Sequence, residues 1–91
     1  MATSSITKTE DFLREAMTCT AESRHKTHGD KAKNHANISA LWSWYLKKEV
    51  TAYDVAMMMA LLKIARTKTG NPNKDDIVDG AGYLAIAGEL R

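Results

Sequence analysis

Apolar residues recur along this chain at helical spacing in four separate stretches, and nowhere do they alternate strictly with polar ones. The pattern predicts four helices and no half-buried strand. Gly29, Gly70 and the run Asn71-Pro72-Asn73 are the strong breakers, with a softer break at Lys47 to Thr51. Short connections of this kind favour antiparallel neighbours. The expected fold class is all-α, a four-helix arrangement in one domain over residues 7–91, preceded by a disordered tail at 1–6.

The first segment runs from about Thr7 to Ser23. Thr7 and Glu10 have capping-box spacing, and Phe12, Leu13, Ala16, Met17 and Ala21 form its apolar face. The second runs from about Asp30 to Lys47, with Ile38, Leu41, Trp42, Tyr45 and Leu46 on one face. Trp44 falls off that face. It is expected to pack on a neighbouring segment, the alternative being a subunit interface or ligand platform. The third segment runs from about Tyr53 to Lys68 and opens on a second capping pattern, Thr51 with Asp54. Val55 to Leu62 is apolar on every side, which predicts a central helix buried all round, with Met57, Met58 and Met59 as adaptable core.

The fourth segment runs from about Lys74 to Leu90. Asn73 can cap it, and Asp75 and Asp76 suit the positive end of its dipole. Its expected apolar face is Ile77, Val78, Ala81, Leu84, Ala85 and Gly88. Gly80, Gly82 and Gly88 each cost ~1 kcal/mol inside a helix. Close helix approach, or room for a ligand, is expected to offset that cost.

Composition narrows the reading. Ninety-one residues make one small domain, and a chain this short buries only roughly 60% of its unfolded surface. Size, the helix-four glycines and Trp44 together favour a homo-oligomer. The single cysteine, Cys19, excludes an internal disulfide and a Cys-based zinc module, and fits a reducing compartment. Met1 to Ile6 has no signal-peptide pattern, and the longest apolar run is far short of the ~20 residues that span a bilayer. A soluble cytoplasmic chain with no membrane partner is expected. The net charge of +2 and the absence of a nucleic-acid-binding motif disfavour a nucleic-acid partner.

The charges that stand out lie on the last two segments. Lys63 interrupts the most apolar helix and shares a stripe with Arg66. Asp76, Asp79, Gly80, Tyr83 and Ala87 share another stripe, on the next segment. A turn at Gly70 to Asn73 should bring the two stripes together. One reading is structural, a set of interhelical ion pairs. The other is a polar pocket: Lys63 and Arg66 hold an anion, Tyr83 stacks or donates, and Asp76 with Asp79 takes Mg²⁺ as a cofactor. Arg24 to Lys33 carries a local charge of +3, so Arg24 and His28 are added as candidate ligand contacts. Glu22, His25 and His28 are spaced by three and His35 follows, which superficially suggests a zinc site. Gly29 and Asp30 break the helix, however, and the usual catalytic metal signatures are absent, so solvent-facing or hinge histidines are expected instead.

The stretch from Asp54 to Arg66, then Asp76-Ile-Val-Asp79-Gly-Ala-Gly-Tyr83, resembles a small phage and prophage family of unknown function. That family is commonly grouped with the MazG-like all-α nucleotide pyrophosphohydrolases. His28-Gly29-Asp30 and Ile38 to Leu46 resemble it too, so the likeness runs from about residue 20 to 90. It implies a MazG-like helical arrangement and a nucleotide or phosphate ligand. In such enzymes, carboxylate pairs on two helices hold Mg²⁺. Asp76-x-x-Asp79 can stand for one pair, but Lys63-x-x-Arg66 stands where the other is expected. Two cations in place of two ligands imply nucleotide or phosphate binding with weak or no hydrolysis, with sequestration of a nucleotide or defence signal in the host cytoplasm as one use. Two alternatives stay open. One is an inhibitor or adaptor of a host protein with a purely structural charge cluster. The other is a Mg²⁺-dependent pyrophosphohydrolase using Asp76 and Asp79.

Overall fold

The computed structural model describes residues 8–20, 30–71 and 73–91, and their regular structure is helical throughout. Four helices follow one another: α1 (Thr9–Thr18), α2 (Lys31–Leu46), α3 (Ala52–Arg66) and α4 (Lys74–Leu90). Thr7, Glu22, Arg24, His25, His28, Gly29 and Pro72 lie outside the described residues, as does the expected 1–6 tail.

Side-chain caps set most of the boundaries. At α1 the box shifts by one residue, with the Asp11 carboxylate accepting from the Lys8 N–H at 3.3 Å, while Glu10 stays within the first turn. Asp30 accepts from the Ala32 N–H at 2.8 Å and starts α2. Thr51 and Asp54 form the expected reciprocal box at α3, each bond 3.0 Å long. Asn73 accepts from the Asp75 N–H at 2.8 Å to start α4. Each such cap is worth about 1 kcal/mol.

The α2–α3 connection is tied from both sides. Lys47 ends α2 in the left-handed region, at φ +57°, which is unfavourable for a residue with a Cβ. Ser43 compensates: its hydroxyl accepts from the Val50 N–H at 2.8 Å and donates to the Val50 carbonyl at 3.1 Å.

The helices form an open array. α4 packs most extensively on α3, with α1 on another side of α4 and α2 on another side of α3. The resulting body measures 42 × 29 × 20 Å. One core cluster joins Ala56 and Ala60 of α3 to Tyr83, Ile86 and Ala87 of α4. A smaller one joins Ala16 of α1 to Val78. No helix among the described residues is long and apolar enough to cross a membrane.

This arrangement changes three expectations. First, α3 is not buried all round. Val55, Ala56 and Ala60 are buried, but Met58, Leu61, Leu62 and Ile64 are exposed, because an open array covers only part of the helix. Second, Trp44 does not pack on a neighbouring segment. It is 69% exposed, and the Lys47 ammonium lies 5.4 Å from its ring centroid. Third, α4 turns the stripe of Asp76, Gly80, Tyr83 and Ala87 inward together with Val78 and, in part, Ala81 of the expected apolar face, while Ile77, Leu84, Ala85 and Gly88 stay exposed. The approach to α4 is closest at Gly82, whereas Gly80 leaves ordinary van der Waals room. A Cβ on Gly80 would stand 3.7 Å from Lys63 Cβ, and one on Gly82 only 2.9 Å from Thr20 Cγ2. The neighbours close on the narrow side of α4. Gly88 faces open space, so close approach does not account for it.

Candidate functional site: a charged seam and the cleft beside it

The α3–α4 turn makes the two helices antiparallel, and that decides which charges meet. Lys63 lies farther from the turn on α3 and pairs with Asp79, farther along α4, at 3.3 Å between Nζ and Oδ2. Arg66 lies nearer and pairs with Asp76 at 3.5 Å between Nε and Oδ1. The structure therefore brings Lys63, Arg66, Asp76 and Asp79 into one seam, neutralised in two pairs.

The pairs are not equivalent. Asp76 is buried while its partner Arg66 is largely exposed. Contact through Nε alone also falls short of the bidentate geometry that makes an Arg–carboxylate pair strong. Asp76 sits in the first turn of α4, where the helix dipole supports its charge independently. Asp79 lies beyond that turn and relies more on Lys63.

Helix α1 covers the other side of Asp79. Ala16, Cys19 and Thr20 close against Val78, Asp79, Gly82 and Tyr83, leaving a gap of only about 10 Å³. The Cys19 thiol has its pKa raised, first by burial and then by the negative charges of Glu15, Asp79 and Asp75. Among the described residues, no group of three or more His, Cys, Asp or Glu side chains could hold a metal ion.

One turn beyond Asp79, Tyr83 is buried and forms a wall of a second feature. A cleft of about 340 Å³ opens between α2, α3 and α4, lined by Lys31, Asn34, His35, Asn37, Ile38, Met59 and Tyr83. The His35 and Tyr83 rings stand 6.3 Å apart and inclined at 56°. At its edge, Lys31 Nζ pairs with Glu89 Oε1 at 3.4 Å, tying the start of α2 to the end of α4.

His35 overturns the expectation of a solvent-facing or hinge histidine, being only 4% exposed. Its Nδ1 lies 2.8 Å from the Lys31 carbonyl. A carbonyl only accepts, so Nδ1 carries the hydrogen. Nε2 is buried and has no hydrogen-bond partner among the described residues. The signal was present in the helical pattern, since His35 precedes Ile38 and Trp42 on one stripe. Asn34, Asn37 and Lys31 carried no comparable signal, being polar residues at a helix start.

The fold and site define a small all-helical domain with a charge-paired seam and an adjoining half-open cleft. The chain belongs to the family described as "Domain of unknown function (DUF6378)", whose model matches residues 11–91. It is similar to the Gene 55 protein of Mycobacterium phage D29, 40% identical over 74 residues, which cover 81% of this chain and 49% of that protein. It is also similar to the Gene 55 protein of Mycobacterium phage L5, 41% identical over 69 residues, covering 75% and 44%. The chain thus spans about half the length of these curated relatives. No solved structure matches it.

Proposed function

We propose that this chain is a MazG-like domain that binds a nucleotide or another phosphate compound and hydrolyses it weakly or not at all. The observation that carries the reading is the engagement of both carboxylates of the would-be metal pair by cations of the facing helix. Mg²⁺ entering there would meet Lys63 and Arg66 at close range. A phosphate would instead find the exposed Arg66 guanidinium, which can exchange one weak contact with Asp76 for a phosphate oxygen. Tyr83 stands one turn away, where the rest of a ligand could lie.

A thermal-shift series with nucleotides, with and without Mg²⁺, tests this. A ligand at 100 times its Kd adds about 2.7 kcal/mol of stability. Stabilisation that survives EDTA, disappears in Arg66→Ala and releases no pyrophosphate is the expected result. Stabilisation that requires Mg²⁺ and releases pyrophosphate would instead identify a pyrophosphohydrolase using Asp76 and Asp79. No response to any nucleotide would overturn ligand binding and favour a host-protein partner.

A second reading, self-association, rests on a separate observation. Leu41, Trp44, Tyr45 and Leu46 of α2 and Met58, Leu61, Leu62 and Ile64 of α3 are exposed. Apolar exposure concentrated on two adjacent helices is more than scattered surface residues account for. A second copy of the chain is the proposed occupant, and sedimentation of the purified protein checks it.

A further inference from the structure

We propose that the α2–α3–α4 cleft is a binding site for a small planar nitrogen heterocycle bearing an N–H donor, read by His35 Nε2. The inference deepens the ligand-binding reading above by naming the part of a ligand the cleft takes. It stands on the cleft rather than on the charged seam.

Three observations carry it. Nε2 is a buried polar atom without a partner among the described residues, and such atoms are costly to leave unsatisfied. With Nδ1–H committed to the Lys31 carbonyl, the Nδ1–H tautomer has its lone pair on Nε2. The complementary group is therefore a donor. An uncharged donor is favoured, because a cation would have to be desolvated beside Lys31. The rest of the lining selects the ligand's body. The Tyr83 and His35 rings, the Met59 thioether and Ile38 present aromatic and apolar surface suited to a flat ring. The Asn37 amide and Lys31 add polar groups. A volume of about 340 Å³ lies at the small end of ligand pockets. Contact with Nε2 requires a side-chain adjustment in the lining, and unbranched Met59 can make one at low cost.

The test uses the full chain uniformly labelled with ¹⁵N and ¹³C, titrated with free cytosine and free adenine. Pyrimidine serves as a ring control without an N–H group. The expected result is a saturable upfield shift of His35 Nε2 with cytosine or adenine, accompanied by shifts at Met59 and Ile38. Pyrimidine should leave Nε2 unmoved. His35→Asn, which can keep the donor to the Lys31 carbonyl, should weaken base binding about three- to tenfold. If neither base moves Nε2 at millimolar concentration, or a base binds without moving it, the proposal is wrong. Inorganic pyrophosphate, titrated separately and read at Lys63 and Arg66, tests the phosphate reading alone, so either can fail without the other.

Discussion

Lys63 crosses from α3 to meet Asp79 on α4, its Nζ 3.3 Å from Oδ2, and its Cβ stands 3.7 Å from where a Cβ on Gly80 would lie. The two facts belong together. The lysine stem packs along α4 beside Gly80 while its ammonium reaches the carboxylate one residue earlier. A charge on the most apolar helix is thereby accommodated.

Removing one partner of this pair should cost more than removing both. Lys63→Met leaves Asp79 half-buried without its cation, and is expected to cost about 1–3 kcal/mol. Lys63→Met with Asp79→Leu replaces the pair by apolar contact and should recover most of that loss. Arg66→Ala should cost less, about 1 kcal/mol or under, because Arg66 is largely exposed and Asp76 keeps the support of its helix dipole. Urea unfolding of the single and double variants reads the coupling. Equal costs for Lys63→Met and Arg66→Ala would refute the ranking.

The glycines of α4 predict opposite signs. Gly82→Ala places a Cβ 2.9 Å from Thr20 Cγ2, a short branch on a part-buried residue that cannot easily move away. A net loss of about 1–2 kcal/mol is expected despite the better helix propensity of alanine. Thr20→Ser in the same chain removes that methyl and should restore much of the loss. Gly88→Ala meets nothing within 4 Å and should stabilise the chain by about 0.5–1 kcal/mol. Thermal melts of the four chains decide it.

Helix existence and most caps could be read from local chemistry, because Asp30, Thr51 with Asp54, and Asn73 need only their own next few residues. Which face of each helix is buried could not. On α4 burial takes Val78, Tyr83 and Ile86 together with Gly80 and Gly82 and leaves Ile77, Leu84 and Gly88 exposed, a choice of face that depends on what packs from other segments. The seam was legible because its charges repeat at one-turn spacing on two helices joined by a short turn. His35 shares a helical stripe with Ile38 and Trp42, but its burial depends on α3 and α4, which arrive later in the chain.

Self-association has a direct mutational test. Leu61 is 60% exposed and Trp44 69%. Leu61→Glu removes no core contact but places a charge on the apolar face of α3. The wild-type chain is expected to sediment above monomer mass, and Leu61→Glu to shift it to monomer while retaining its helical circular dichroism. A wild-type monomer at high micromolar concentration would remove the case for a second copy on this surface.

Cys19 reports on the charge of the seam. Burial raises its thiol pKa first, and Glu15, Asp79 and Asp75 raise it further from the ordinary value of 9.0. The thiolate is the reactive form, so iodoacetamide should modify Cys19 at pH 8 more slowly in the folded chain than in urea. Asp79→Asn removes one of the charges and should accelerate the reaction, provided its melting temperature stays well above that of the assay. The same shift has a consequence for stability. A thiol whose folded value is raised contributes stability below pH 9.0, and that contribution is lost as pH rises through the folded value. The stability difference between the wild-type chain and Cys19→Ala should therefore be flat from pH 6 to 8. Above pH 9 it should move against the wild type. A difference that moves in the wild type's favour above pH 9 would reverse the sign and place the thiolate, not the thiol, as the form the folded chain prefers.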